Sequence, residues 1–157
     1  MHQLSISEQW YTTFRTNIDS CFHITKAALP HMSAGASIIN STSVDAYIGV
    51  PTRVDYAASK GAIVAFTRAL SNQLVKRGIR VNAVAAGPTW TPMLAAWAPM
   101  SGEETAKGPH KLGYHTPMDR LGQPSEVATS YVFLASSDAV FMSGQTLYPN
   151  GGIIVNG

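Results

Sequence analysis

Apolar residues recur with helical period through "SISEQWYTTFRTNIDSCFHITKAALPHM", where Trp10, Phe14, Ile18 and Phe22 fall at fourfold spacing. Ser5 and Glu8 have capping-box spacing at its start, so the pattern predicts one long amphipathic helix. The run "ASIIN" is apolar and then turns polar, as a strand covered on both faces does. From Asp55 to Arg77 the Ala, Ile, Phe and Leu positions return to helical period, and Gly78 ends them. "IRVNAVAA" reads as a second buried strand, stopped by Gly87 and Pro88. "PSEVATSYVFLASS" opens on Pro124 and Glu126 and predicts a third helix. "GQTLYPNGG" supplies a last short strand, while residues 89–123 mix Gly, Pro, Trp and Met with short helical patches only. Strands alternating with helical crossovers imply a parallel sheet covered on both faces, a three-layer α/β fold. There is no internal repeat or low-complexity segment, and the 157 residues read as a single domain over 1–157.

Composition narrows the function classes. The chain is 45% hydrophobic and 13% charged, which is core-rich rather than disordered. A net charge of +2 with scattered basic residues speaks against a nucleic-acid partner. No apolar run approaches the ~18 residues of a membrane helix. The start "MHQLSISEQW" lacks a charged-then-apolar signal pattern. One cysteine, Cys21, excludes an internal disulfide and fits a reducing, cytoplasmic setting; mid-helix and without a motif partner, it reads as buried and inert. His2, His23, His31, His110 and His115 have no metal-ligand spacing, so no metal is expected. A serine hydrolase is not supported, because "GASIINSTS" contains no G-x-S-x-G.

The chemistry concentrates in "STSVDAYIGVPTRVDYAASKGAIVAFTRAL". Tyr56 and Lys60 are four residues apart and share a helix face. Ser43 and the Ala86–Thr91 segment both lie at carboxyl ends of strands, where functional groups of a parallel sheet collect. A tyrosine hydroxyl ionises near pKa ~10, and a fixed ammonium beside it is expected to lower that value. Such a phenol gives a proton to a carbonyl oxygen or removes one from an alcohol, and a serine hydroxyl holds the same oxygen. The bland alternative makes Tyr56 a half-buried residue at a helix start and Lys60 a solvated one. Ser43 at the converging strand end favours the chemical reading.

The S-x12-Y-x3-K pattern of Ser43, Tyr56 and Lys60 resembles the signature of the short-chain dehydrogenase/reductase family. "GIRVNAVAAGPTWTPM", "MDRLGQPSEVA" and "FLASSDAVFMSGQTLYPNGG" are similar to that family's later segments in order, and "FRTNIDSCFHITKAALPHM" to the helix carrying its fourth catalytic residue, here Asn17. The phrasing most resembles the general-stress-protein and aldehyde-reductase group. The resemblance implies a truncated Rossmann-like αβα fold and an oxidoreductase using NADP or NAD on a small carbonyl or alcohol substrate. It implies Tyr56 as general acid/base, Lys60 as its tuner and ribose contact, Ser43 as holder of the substrate oxygen, and Asn17 in a water relay. Gly87, Pro88 and Thr91 would border the nicotinamide. Residues from Trp90 to about Arg120 would form a substrate lid; its Met93 and Trp97 read equally as substrate contacts or as packing residues.

The resemblance covers the second half of the family's fold. None of the thirteen glycines forms the family's G-x-x-x-G-x-G phosphate loop, so this chain alone is expected to bind NADP or NAD poorly. Ala86 stands where the family usually has proline, and Asn150 where aspartate is common; both look tolerable. "ASIIN" would be an edge strand open to pairing, so a homo-oligomer or a complementing partner is expected. Two other function classes remain open on the residues: a cofactor-independent isomerase, lyase or cyclase reusing the acid/base groups, and a non-enzymatic interaction module.

Overall fold

The two apolar strand candidates pair directly with each other. In the computed structural model, which describes residues 7–97 and 116–155, β1 (Ser37–Ser43) runs parallel to β2 (Arg80–Ala86), from Ser37 opposite Arg80 to Ser43 opposite Ala86. β3 (Thr146–Leu147) adds to the other side of β2, also parallel, giving the order β1-β2-β3. The helices are α1 (Ser7–Phe14), α2 (Ser20–Ala28), α3 (Asp45–Ile48), α4 (Val54–Leu74), α5 (Pro92–Trp97) and α6 (Pro124–Ala135).

Successive strand side chains point to opposite faces, and here each face is apolar. Ile38 and Val81 turn toward α4 and pack with Leu70, Leu74 and Phe66. Ile39 and Val84 turn toward α6 and meet Val127, Tyr131 and Leu134. Burying each large aliphatic side chain stabilises the fold by ~1.5–3 kcal/mol, so these clusters hold the three expected layers together. Buried polar groups are paired across them. Asn40 donates from Nδ2 to Thr67 Oγ1 at 2.9 Å. Asn82, fully buried, donates to the Met142 carbonyl at 2.8 Å and accepts from the Gln145 amide at 3.0 Å.

The second predicted helix is borne out, and Gly78 ends it in a left-handed conformation at φ +71° after one 3-10 turn, Val75–Arg77. The third opens as expected. The Gln123 amide donates to Glu126 at 2.8 Å, and Arg120 adds two bonds of 2.7 Å to the same carboxylate. These contacts hold the exposed Glu126 carboxyl at a pKa of about 2.

The first helix departs from expectation. It is not one regular helix: a π-helical turn, Arg15–Asp19, joins α1 to α2. The Ser20 hydroxyl donates to the Thr16 carbonyl at 2.6 Å and the Cys21 thiol to the Asn17 carbonyl at 3.2 Å, supplying donors where the wide turn shifts the hydrogen-bond ladder. No residue of α1 is buried. Its polar row faces α4, with Gln9 and Thr13 donating to Asp55 at 3.4 and 2.7 Å. Trp10 stacks on Phe14 at 4.6 Å beside that row, and Trp10 and Phe22 remain exposed. Ser5, the expected cap, and residues 98–115 of the expected lid lie outside the described residues.

Candidate active site

Three elements bring the expected chemistry to one cleft of about 430 Å³. β1 ends at Ser43, β2 ends at Ala86 directly opposite it, and α4 begins next to both. Ser43, Tyr56, Lys60, Gly87, Pro88, Thr91 and Met93 all line this cleft. Trp90 is not among its lining residues; its ring is exposed, and its amide donates to the Gly122 carbonyl at 2.9 Å. The Trp97 side chain lies outside the described residues.

Backbone contacts fix the catalytic candidates. Thr42 donates to the Lys60 carbonyl at 2.8 Å, which ties β1 to α4 one turn after Tyr56. Lys60 Nζ donates to the Ser41 carbonyl at 3.1 Å and sits 5.5 Å from the centre of the Tyr56 ring. The Ser43 hydroxyl accepts the Asp45 amide at 3.2 Å, which leaves its own proton to donate. Asn17 does not line the cleft. Its Nδ2 donates to Ser59 Oγ at 2.9 Å, and Ser59 in turn donates to the Tyr56 carbonyl at 2.8 Å. Asn17 therefore braces the backbone of Tyr56 through Ser59, which is fully buried.

The electrostatics differ from the expectation that Lys60 lowers the Tyr56 pKa. Burial pushes the Tyr56 hydroxyl above the ordinary tyrosine value, Asp45 raises it further, and a hydrogen bond with Ser43 and the Arg53 charge only partly oppose this. Lys60 is itself pushed down by burial. Desolvation disfavours both charged forms, and here it is the largest cause of both shifts. Tyr56 is thus a neutral phenol at neutral pH, able to donate a proton. Cys21, expected to be buried and inert, is half-buried; burial raises its thiol, and the Lys60 charge nearby pulls it down.

Ser59, Asp45 and Arg53 belong to the site although the sequence motif does not include them. Ser59 carried a signal, since a serine three residues after Tyr56 on a helix reaches back to its carbonyl. Asp45 carried another, as a carboxylate two residues beyond Ser43 in a chain only 13% charged. Gly87 lines the cleft, but its lack of a side chain serves packing: a Cβ there would lie 2.6 Å from Asn150 Cα. Asn150 holds the facing turn, donating to the Ile153 carbonyl at 2.7 Å and accepting from the Gly152 amide at 3.0 Å. An aspartate would lack the donor for the first of these bonds. Thr91 accepts the Leu94 amide at 3.3 Å and so caps α5. Among the described residues no His, Cys, Asp or Glu side chains are grouped to hold a metal ion, and no helix is long and apolar enough to cross a membrane.

Residues 3–154 match the family described as enoyl-(acyl carrier protein) reductase. General stress protein 39 of Bacillus subtilis is 52% identical over 149 residues, covering 95% of this chain and 50% of that protein. The chloroplastic NADPH-dependent aldehyde reductase 1 of Arabidopsis thaliana is 55% identical over 144 residues, covering 91% of this chain and 48% of that one. A crystal structure from Brucella melitensis, titled a short-chain dehydrogenase/reductase of the glucose/ribitol dehydrogenase type, superposes with a TM-score of 0.82 at 38% identity, over 96% of this chain and 58% of the other. The chain spans about half the length of the curated relatives it matches.

Proposed function

The chain belongs to the short-chain dehydrogenase/reductase family, and on that premise we propose that it carries the acid–base site of an NADP- or NAD-dependent carbonyl reductase and alcohol dehydrogenase. One observation carries the reading: Ser43, Tyr56 and Lys60 line one cleft, with Tyr56 held as a protonated phenol. In the reductive direction Tyr56 Oη gives its proton to the carbonyl oxygen, and the Ser43 hydroxyl steadies that oxygen by hydrogen bond. In the oxidative direction Tyr56 must first lose its proton, so alkaline pH favours it.

The donor set fits a nicotinamide ribose. An ammonium has three donors; among the described residues Lys60 Nζ gives one to the Ser41 carbonyl, which leaves donors for ribose hydroxyls at the cleft. Gly87, Pro88 and Thr91 border the same space. A bound nicotinamide dinucleotide would supply the hydride. Residues 1–157 form part of a Rossmann-type domain, with 90–120 as the substrate lid and Met93 on its cleft side. The protein works as a cytoplasmic homo-oligomer on a small molecule.

Tyr56→Phe tests the assignment. With a simple aldehyde, and NADPH at a concentration high enough to offset the missing phosphate loop, the purified protein's turnover falls by ~10²–10⁴-fold, the range for a positioned acid. Unchanged turnover in a folded variant would overturn it.

A further inference from the structure

Asp45 and Arg53 lie on the wall of the cleft, and neither takes part in the proton transfer. Asp45 follows Ser43 by two residues, and Arg53 precedes Tyr56 by three. Arg53 Nη1 is 3.1 Å from Asp45 Oδ2, with side-chain exposures of 16% and 3%. The Asp45 amide reaches Ser43 Oγ at 3.2 Å, so the carboxylate belongs to a residue in direct contact with the candidate catalytic serine.

An ionised carboxylate offers about four acceptor sites. Among the described residues, Arg53 is the ion-pair partner of the Asp45 side chain, and Asp45 lines the cleft. Stability alone is a poor reason for such a pair, because desolvation of two buried charges commonly cancels their attraction. Burial does raise the Asp45 carboxyl, and the Arg53 charge opposes it.

We infer that the Asp45–Arg53 pair is a recognition site for a hydroxylated substrate, so that the cleft selects carbonyl compounds and alcohols bearing a hydroxyl beside the reacting carbon. The substrate hydroxyl donates to the Asp45 carboxylate, and Arg53 holds that carboxylate charged and in place. The reacting oxygen then sits between Ser43 and Tyr56, one carbon away. A hydrogen bond to a charged group discriminates by about 10- to 100-fold against an analogue lacking the hydroxyl.

This inference rests on the reading of the cleft as an oxidoreductase site, and the experiment separates the two. With saturating NADPH, the kcat/KM ratio of glyceraldehyde to propionaldehyde is measured for the wild type, Asp45→Asn and the double variant Asp45→Asn/Arg53→Gln. The double variant removes both charges of this pair should the single one fail to fold. The expected result is a ratio that falls about 10- to 100-fold in the variants. A ratio unchanged, including by an equal loss on both aldehydes, overturns the inference and makes the pair structural. If the wild type turns over neither aldehyde, the oxidoreductase reading has failed, and ribitol binding by calorimetry decides. Binding by the wild type that is lost in the variants supports the recognition site; no binding, or equal binding, overturns it.

Discussion

At Tyr56 the ring, the Lys60 ammonium and the Asp45 carboxylate share one partly dry pocket, and desolvation is the largest influence on the proton. A folded-state pKa above the unfolded ~10 has a definite sign. The folded protein holds the phenol proton more tightly than the unfolded chain does. The associated stability is complete below pH ~10 and is lost as pH rises through the folded value. The phenolate absorbance of the cofactor-free protein, taken as the difference between wild type and Tyr56→Phe, is therefore expected to rise above pH ~10. A Tyr56 midpoint below that would return the tuning role to Lys60. Ser59 matters at the same scale. Its hydroxyl links Asn17 to the Tyr56 carbonyl, so the first helix positions the phenol without touching the cleft.

Among the elements, the turn after β2 is tightly constrained. Gly87 packs against Asn150 so closely that an added Cβ would meet backbone at 2.6 Å, and the Gly87 amide also donates to the Pro149 carbonyl at 3.1 Å. Gly87→Ala must push the β2 turn and the segment after β3 apart. Forced overpacking of this kind costs ~1–3 kcal/mol, which denaturant unfolding measures. Because Gly87 and Pro88 line the cleft, the same change should reshape it. A variant as stable as the wild type would mean that the Asn150 turn yields freely. The π-helical turn acts on the first helix in the same way, setting Asn17 against Ser59 while Gln9 and Thr13 reach Asp55.

For the whole molecule, two surfaces bear on assembly. Among the described residues β1 pairs with β2 on one side only. Along the first helical stretch Trp10, Tyr11, Phe22 and Ile24 stand exposed. Open strand edges and exposed apolar side chains both favour association. The proposed homo-oligomer is thus expected as a dimer or larger species by light scattering at micromolar concentration, with α1 at or near the contact. A stable monomer would contradict it. Trp10→Glu should shift the population toward monomer, because it places a charge among these apolar side chains.

Local order along the chain was enough to determine the layers. Ile38 beside Ile39 marks a strand covered on both faces, and the period from Asp55 to Arg77 marks the crossover helix, because both repeats follow from backbone geometry. The gathering of Ser43, Tyr56 and Lys60 on one rim was equally legible, since it needs only a parallel sheet and a helix starting beside it. Tertiary structure alone decided which row of α1 meets α4. The rows of Thr13 and Phe14 are adjacent, and only the placement of Asp55 and Ser59 selects the polar one. It alone also raised Tyr56, paired Asp45 with Arg53 and set Gly87 against Asn150. Proton affinity and close packing depend on what surrounds a group in space, and neighbours along the chain do not reveal how much water the fold removes.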